Sequence, residues 1–366
     1  MYVYVCHNPI PIIMGPRKQE PFRRADESRS DMRFSDTRFS DTRFSDTRYS
    51  DTRYSDTRFS DTRFSGTQND EHVRAHYNTV KNNMRDRTNM MPLRDFNNFV
   101  KWLLVFEYSQ PYDVVLDMAC GKGGDLEKWR RACVDGWIGV DIADVSISDA
   151  TKRYERLRPK TFWADFLVGN CFGTNIKETV LHPDTPEVDV VSCQFALHYA
   201  FDTQERINTA LANVSSVLKT GGLFFGTMPN PDYLLQNLQQ ALREGKREWG
   251  NSIFNIKFDE DVEIRDGKFV KPFGNGYTFY LSEAVDNVPE YTISIDQLAA
   301  LAQKHGLELI QKEPFLDYFD RCVRDSELVL NEAAFKKLTN RTGRRIFDAN
   351  QMEVCSIYLC YGFRKI

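Results

Sequence analysis

The sequence lacks the features that mark several classes of protein. None of its eight cysteines forms a Cys-x-x-Cys pair, which argues against a zinc site or a redox dithiol. Without a disulfide framework, a reducing compartment is expected. No run of 18 apolar residues occurs, so no membrane-spanning helix is predicted. The first residues, MYVYVCHNPIPIIMGP, have no basic leader and contain three prolines, so a signal peptide is not expected.

The chain also lacks an excess of positive charge. Its 366 residues carry a formal net charge of −4, with 41% hydrophobic and 27% charged residues. This composition is typical of a globular protein and excludes a general polyanion binder. Contact with nucleic acid would therefore require a local basic patch. The length allows one large domain with an appendage, or two small domains.

A pentapeptide repeat dominates the N-terminal part of the chain. Six copies of FSDTR or YSDTR occupy residues 34–63, and a degenerate copy, FSGTQ, follows at 64–68. A period of five matches neither a helix nor a strand, and Asp and Arg cancel in each copy. We therefore predict a disordered tail over residues 1–70. An alternative is an interaction array of regularly spaced aromatic residues, with hydroxyl groups open to phosphorylation.

Residues 71–366 are predicted to form one domain in which strands and helices alternate. Two helices precede a buried strand at 113–119, and further strands are predicted at 137–143, in TFWADFLVGN, at 188–197 and at 221–229. Strands separated by helices indicate a parallel sheet covered on both faces. A later helix ends near Gly306 and leads into a strand, and the closing CSIYLCYGF is a late strand that could run antiparallel.

One strand–loop–helix segment predicts a ligand site. In VLDMACGKGGDLEKW, residues 115–129, Gly121 and Gly123 fit the first two positions of a dinucleotide fingerprint, but the third position is Leu126. The glycines also suit S-adenosylmethionine, whose amino-acid and ribose parts need close approach to backbone. Asp141, at the end of the second strand, can accept hydrogen bonds from two ribose hydroxyls. NAD enzymes carry such an acid too, so Asp141 alone does not decide between the two ligands.

Six motifs in order carry a resemblance to a known family. The segments DFNNFVK, LDMACGKGGDL, DIADVS, CQFALHYAF, NVPE and SIYL resemble those of the eukaryotic mRNA cap guanine-N7 methyltransferases, over about residues 72–366. The resemblance implies a seven-stranded, mostly parallel, doubly wound α/β sheet of the S-adenosylmethionine-dependent methyltransferase type. It also implies transfer of a methyl group from S-adenosylmethionine to N7 of the cap guanosine of mRNA. The implied location is the nucleus, with capped RNA and possible contacts to the capping or transcription machinery as partners, and no membrane.

The resemblance assigns roles to individual residues. The expected cofactor-binding residues are Lys101, Ala119, Asp141, Asn170, Gln194 and Tyr199. Ala119 stands where the family usually has glycine, and Asn170 where it has an aspartate that binds adenine. The expected cap-binding residues are Asn97, Asn98, Lys122, Lys128, Arg153, His198, Glu290 and Tyr358.

The implied chemistry requires no acid–base pair and no metal. Guanine N7 has a lone pair and no proton, so His198, Glu290 and Tyr358 would only position the base. A carboxylate such as Glu290 can accept hydrogen bonds from N1–H and the 2-amino group at once. Lys122, Lys128 and Arg153 would face the triphosphate.

Three alternatives remain open at the level of sequence. The chain could methylate another nucleotide or RNA substrate, or it could be a non-catalytic relative that binds cap or RNA with a decayed cofactor site. An NAD-dependent oxidoreductase is more distant. The sequence also does not decide whether residues 230–275 form a lid or an insertion.

Overall fold

The computed structural model describes residues 67–79, 90–324, 333–338 and 347–366. The predicted disordered tail lies outside the described residues except for its last few positions. The helices are α1 Gln68–Thr79, α2 Met91–Tyr108, α3 Leu126–Arg131, α4 Asp144–Arg156, α5 Ile176–Thr179, α6 Gln204–Val217, α7 Pro231–Arg243, α8 Ile295–Lys304, α9 Phe315–Arg324, α10 Ala333–Lys336 and α11 Ala349–Ser356, with a 3-10 turn at Leu197–Ala200. The strands are β1 Val114–Met118, β2 Gly136–Asp141, β3 Trp163–Val168, β4 Val188–Gln194, β5 Leu218–Pro229, β6 Glu248–Gly250, β7 Phe254–Phe258, β8 Ile264–Arg265, β9 Lys268–Phe269, β10 Asn275–Leu281, β11 Val285–Thr292, β12 Leu307–Pro314 and β13 Tyr358–Lys365.

A seven-stranded sheet forms the centre of the fold. Its strand order is β12-β13-β5-β4-β1-β2-β3. The five strands from β5 to β3 pair in parallel, whereas β13 runs antiparallel to both of its neighbours. The predicted α/β class and mostly parallel sheet are confirmed, and the closing strand is indeed antiparallel. Strands β2 and β3 lie on one side of β1, whereas β4 and β5 lie on the other, so the direction in which successive strands are added reverses between β1 and β4. Open α/β sheets bind ligands at such a switch point.

Two hydrophobic clusters cover the two faces of the sheet. Along β1, Val115 faces the cluster beneath α2 and α3, whereas Leu116 faces the one beneath α6 and α8. Successive side chains of a strand point to opposite faces, which explains this division. All six residues of β2 are buried, as expected for a central parallel strand. Helix α2 buries Phe96, Phe99 and Leu103, which the helical repeat places on one stripe.

Residues 230–275, whose role the sequence left open, contain α7 and the first strands of a second sheet that continues to Thr292. Strands β11, β10, β7 and β6 pair antiparallel in that order, and β8 and β9 form a small hairpin beside them. Strand β11 packs against the 3-10 turn that follows β4. This sheet therefore stands at the carboxyl edge of the central sheet and contributes to its site.

The boundary predicted at residue 70 falls inside α1. The Asp70 carboxylate is buried and lies 2.7 Å from Nη1 of Arg206 in α6.

Within the described ranges, no helix has the length and apolar character needed to cross a membrane, and no cluster of three His, Cys, Asp or Glu could hold a metal ion.

Candidate active site

A cavity of about 250 Å³ opens at the carboxyl edge of the central sheet. The loops after β1, β2, β3 and β4 form its floor, and α1 and α2 supply its sides. The cavity is lined by all six residues that the sequence assigned to the cofactor: Lys101, Ala119, Asp141, Asn170, Gln194 and Tyr199. Because the carboxyl ends of parallel strands share one edge, residues far apart in sequence meet here.

The loop after β1 is shaped by backbone in the left-handed region. Ala119, Gly121 and Gly123 have φ values of 55°, 54° and 65°. A Cβ added at Gly121 would meet nothing within 4 Å, so this glycine is required for its backbone conformation. A Cβ at Gly123 would lie 2.6 Å from Leu126 Cδ1 and 3.1 Å from Ala150 Cβ, so this glycine allows α3 and α4 to pack closely. Ala119 adopts a conformation that costs a residue with a Cβ about 1 kcal/mol or more.

Asp141 is held rigidly at the end of β2. Its Oδ2 accepts a hydrogen bond of 2.8 Å from the Gly121 N–H, and its Oδ1 accepts one of 2.8 Å from the Ala143 N–H. Burial raises the pKa of this carboxyl, and the two N–H groups counteract that rise. Each oxygen keeps a second lone pair, so the carboxylate can accept from two further hydroxyl groups.

Two carboxamides are held by hydrogen bonds, one in the loop after β3 and one at the end of β4. Asn170 Oδ1 accepts a hydrogen bond of 3.1 Å from the Phe172 N–H. Gln194 receives a hydrogen bond of 3.1 Å from Thr227 Oγ1 and donates one of 3.2 Å to Ser192 Oγ. One partner on β5 and one on β4 itself therefore hold the Gln194 side chain at the cavity.

Lys101 shares its carboxylate partner with Lys128. The two Nζ atoms lie 2.9 Å and 2.6 Å from Oδ1 of Asp125. Burial alone would raise the pKa of Asp125, but the two ammonium groups outweigh it and hold this pKa well below its usual range. Lys128 also donates to Asn98 Oδ1 at 3.1 Å. Its own pKa is lowered by burial.

A second cluster forms where β11 meets the 3-10 turn. Glu290 is buried, with Oε2 accepting a hydrogen bond of 2.8 Å from the Tyr277 hydroxyl. Its Oε1 lies 3.3 Å from His198 Nε2, although neither ring nitrogen of His198 forms a hydrogen bond within the described residues. Burial raises the pKa of Tyr358 well above its usual range, and the nearby Glu290 charge adds to this rise. The structure thus brings His198, Glu290 and Tyr358 into one cluster.

The cavity and the cluster around Glu290 share a wall. Phe195 lines the cavity and packs edge-on against Tyr358, with ring centroids 5.0 Å apart. Tyr199 also lines the cavity, and its ring centroid is 4.3 Å from that of His198. A small molecule in the cavity and a flat base beside Glu290 would therefore be neighbours.

The remaining predicted cap-binding residues lie on α2, α3, α4 and the glycine loop, and they differ in exposure. Lys122 Nζ lies 3.2 Å from Asp149 Oδ2, and Arg153 Nη1 donates to the Gly123 carbonyl at 3.3 Å. Lys128 is only 8% exposed. Asn97 Oδ1 is buried and has no hydrogen-bond partner among the described residues. Lys122 and Arg153 therefore flank the glycine loop, whereas Lys128 lies mostly beneath it.

A family model and curated relatives match this chain. The model described as the mRNA (guanine-N(7))-methyltransferase domain matches residues 61–366. The chain belongs to this family. Its resemblance to these enzymes, expected from the sequence motifs, is confirmed.

Yeast guanine-N7 methyltransferases are among the relatives. The mRNA cap guanine-N(7) methyltransferase of Saccharomyces cerevisiae is 38% identical over 307 residues, which cover 81% of this chain and 70% of that protein. The enzyme of the same name from Schizosaccharomyces pombe is 39% identical over 300 residues, covering 80% and 81%. A solved S-adenosylmethionine-dependent methyltransferase from Clostridium acetobutylicum, at 14% identity, matches 74% of this chain and 91% of its own, with a TM-score of 0.41. That structural similarity is too low to support any further conclusion.

Reasoning from sequence missed three contributors to this guanine-N7 methyltransferase site. Tyr77 of α1 lines the cavity, and its hydroxyl lies 3.0 Å from that of Tyr199. Tyr277 holds Glu290, and Asp125 pairs with Lys101. Asp125 could have been found, because it follows the glycines directly and precedes a lysine by one helical turn. No sequence signal identified Tyr77 or Tyr277, since aromatic residues at such spacing are usually core residues.

Proposed function

We infer that this protein is an S-adenosylmethionine-dependent methyltransferase that methylates N7 of the guanosine cap of mRNA, converting GpppN ends to m7GpppN ends. One observation carries the inference. A cavity suited to the cofactor shares the wall of Phe195 and Tyr199 with a buried carboxylate suited to guanine. Membership of the guanine-N7 methyltransferase family supports the same reaction.

We propose that the cofactor lies in the cavity, with its ribose against Asp141. Asp141 would accept from both ribose hydroxyls, and Asn170 would meet the adenine. Lys101, Ala119, Gln194 and Tyr199 would surround the rest of the molecule. When bound, S-adenosylmethionine supplies a methyl group on a positively charged sulfur. The residues present fit this ligand. Each oxygen of Asp141 has one lone pair left for a ribose hydroxyl, and no atom lies within 4 Å of where a Cβ of Gly121 would be, so the ligand can approach the backbone there.

We propose that Glu290 reads the guanine base. Its carboxylate would accept from N1–H and from the 2-amino group, while His198 and Tyr358 hold the ring in place. N7 needs no general base, so these residues act by alignment. As N7 is methylated the ring becomes cationic, and a fixed negative charge beside it lowers the barrier. Asn97, Asn98, Lys122, Lys128 and Arg153 are proposed to lie towards the triphosphate and its ribose.

The reaction is tested by incubating the protein with labelled S-adenosylmethionine and GpppG-capped RNA. Nuclease digestion then identifies the methylated position. Label at N7 of the cap guanosine supports the proposal. Label at another base or at a ribose would instead favour a methyltransferase with a different RNA substrate. No transfer together with tight GpppG binding would favour a non-catalytic cap-binding relative.

We propose that the catalytic domain begins near Thr67 and that residues 1–66 form a tail dispensable for chemistry. The support is that Asp70 and Tyr77 of α1 reach Arg206 and Tyr199, so α1 belongs to the site. Deletion of residues 1–66 should leave kcat/KM for a capped oligonucleotide within a few-fold of wild type. Deletion of residues 1–79 should weaken S-adenosylmethionine binding strongly. A hundredfold loss from the shorter deletion would contradict this boundary.

We propose that the protein acts in the nucleus on newly made transcripts, in contact with the capping or transcription machinery. Family membership supports this, since the family is described by its action on mRNA. A fluorescent fusion excluded from the nucleus would contradict it.

A further inference from the structure

We propose that the exposed face of α4 binds the sugar–phosphate backbone of the RNA that follows the cap. This surface, here called the cationic face, consists of Lys152, Arg153 and Arg156 of α4, together with Lys122 of the adjoining glycine loop. The proposal rests on the proposed function, since it requires an RNA chain attached to the methylated guanosine.

The helical repeat places the α4 residues of this surface on one side of the helix. Asp149, Lys152, Arg153 and Arg156 are separated by three, four and seven positions, so they lie on one side of α4. Lys152 and Arg156 are exposed, whereas Ala150 and Tyr154 on the other side are buried. The surface therefore points to solvent as a continuous strip along the second half of the helix.

Cations outnumber acids on this part of the helix. Asp149 is paired through its carboxylate with Lys122 at 3.2 Å, and the exposed Glu155 is the second acidic residue beside Lys152 and Arg156. In the part of the chain that the structure describes, neither Lys152 nor Arg156 forms an ion pair. The next residues add the exposed Arg158 and Lys160. This local excess of cations contrasts with the net charge of −4 for the whole chain.

The cationic face is continuous with the site. Arg153 Nη1 donates to the carbonyl of Gly123 at 3.3 Å, and Gly123 packs against Ala150 of the same helix. The loop that contains Gly123 also contains Gly121, which lines the cavity. Lys152 and Arg156 continue the strip away from the loop. A charge run on a helix is often only a solvated surface, but this one begins at the loop beside which the cap triphosphate is proposed to lie.

The chemistry favours a phosphate backbone over other anions. Exposed Lys and Arg side chains contact phosphates without reading sequence, as a substrate of varied sequence requires. Such contacts displace counterions, so binding should weaken with salt, with a slope of about 0.7 per contact for a single strand. An acidic protein segment is the competing occupant, and the experiment distinguishes it.

The test compares two substrates and two double variants. Initial rates give kcat/KM for the dinucleotide GpppG and for a GpppG-capped oligoribonucleotide of about twenty nucleotides. Fluorescence anisotropy gives the Kd of the RNA over a range of salt and the Kd of labelled polyglutamate. The variant Lys152→Ala/Arg156→Ala removes two cations from the cationic face. The control Arg243→Ala/Lys304→Ala removes two exposed cations from the last turns of α7 and α8.

The expected result is selective loss of RNA affinity. Two lost contacts should reduce the salt slope by about 1.4 and raise the Kd at 0.1 M salt about 25-fold. Rates on GpppG should stay at the wild-type level, and the control should match wild type on both substrates.

Three results would overturn the proposal. The first is a double variant that binds capped RNA like the control. The second is equal loss on GpppG and on capped RNA, which would place the residues in the cap site or in folding. The third is normal RNA binding with lost affinity for polyglutamate, which would make the surface a protein-docking site. Failure of the wild type to methylate GpppG would refute the proposed function separately, since anisotropy still reports RNA binding.

Discussion

Replacement of Glu290 by glutamine gives the sharpest test of the proposed cap pocket. The Oε2 atom of Glu290 already accepts from the Tyr277 hydroxyl at 2.8 Å, and Oε1 lies beside His198. Guanine would present two further donors, N1–H and the 2-amino group. A carboxylate can satisfy Tyr277 and both guanine donors, because its two oxygens offer about four acceptor positions.

Glutamine keeps the size of the side chain but cannot satisfy this set. A bidentate pair with guanine needs an acceptor at both positions, so the NH2 group of glutamine faces a guanine donor in either orientation. Either orientation leaves an unpaired buried donor, at about 1–3 kcal/mol, and also loses charge-assisted hydrogen bonds. Since each factor of ten in rate corresponds to about 1.4 kcal/mol, we expect kcat/KM on GpppG to fall by about 10²-fold or more.

The assay measures kcat/KM on GpppG and on the inosine analogue IpppG, which lacks the 2-amino group, together with calorimetric binding of S-adenosylmethionine. The wild type should discriminate strongly against IpppG, Glu290→Gln should discriminate less, and cofactor affinity should be unchanged. The control Tyr277→Phe removes one hydrogen bond to the carboxylate, worth about 1.5–3 kcal/mol, but keeps both acceptor oxygens, so it should lower kcat/KM without reducing the discrimination against IpppG. A normal rate of Glu290→Gln on GpppG, or an unchanged preference over IpppG, would show that Glu290 does not read the base.

Three further substitutions test the cofactor side of the site. Asp141→Ala should weaken S-adenosylmethionine binding by at least tenfold in calorimetry and leave GpppG affinity unchanged, since each charge-assisted hydrogen bond contributes about 1.5–3 kcal/mol; equal cofactor affinity would contradict the assignment. Ala119→Gly should raise the free energy of unfolding by about 0.5–1 kcal/mol in urea titrations, because it relieves the positive φ at this position; a loss of stability would contradict this. Burial raises the pKa of Asp117 from 3.8 to about 7, with repulsion by Asp125 as the next cause. The folded state therefore holds this proton more tightly than the unfolded state, so stability should fall as the pH rises between these two values and level off above them. Asp117→Asn removes this penalty. The melting temperature of the variant minus that of the wild type should therefore be larger at about pH 8 than at about pH 5. An equal difference at both pH values would refute this reasoning.

Much of the site follows from local sequence pattern. Strand–loop–helix order sets the direction of β1 and α3, and it places the glycine loop and Asp141 at one sheet edge. These features rest on short-range rules of alternation and helical repeat, which operate within about twenty residues. The motif resemblance then supplied Glu290 and His198, which spacing alone could not have connected.

The tertiary structure decided which distant groups share an environment. Tyr77 and Tyr199 are separated by 122 residues, and Asp70 and Arg206 by 136, yet both pairs are in contact. Packing of α3 against α2 buries Lys128 against Asp125, a partner that its predicted role in cap binding did not include.

The physical reason is the same in each case. Sequence periodicity fixes which face of an element is apolar, and it thereby determines the α/β layers and the edge at which ligands bind. It does not fix how two layers meet, because many arrangements bury a similar apolar area. Only the packed structure shows that β11 brings Glu290 to the end of β4 and that Tyr277 holds it there. The motifs of the sequence alone thus determined the fold and the reaction class, and the meeting of the two sheets decided the geometry of the base pocket.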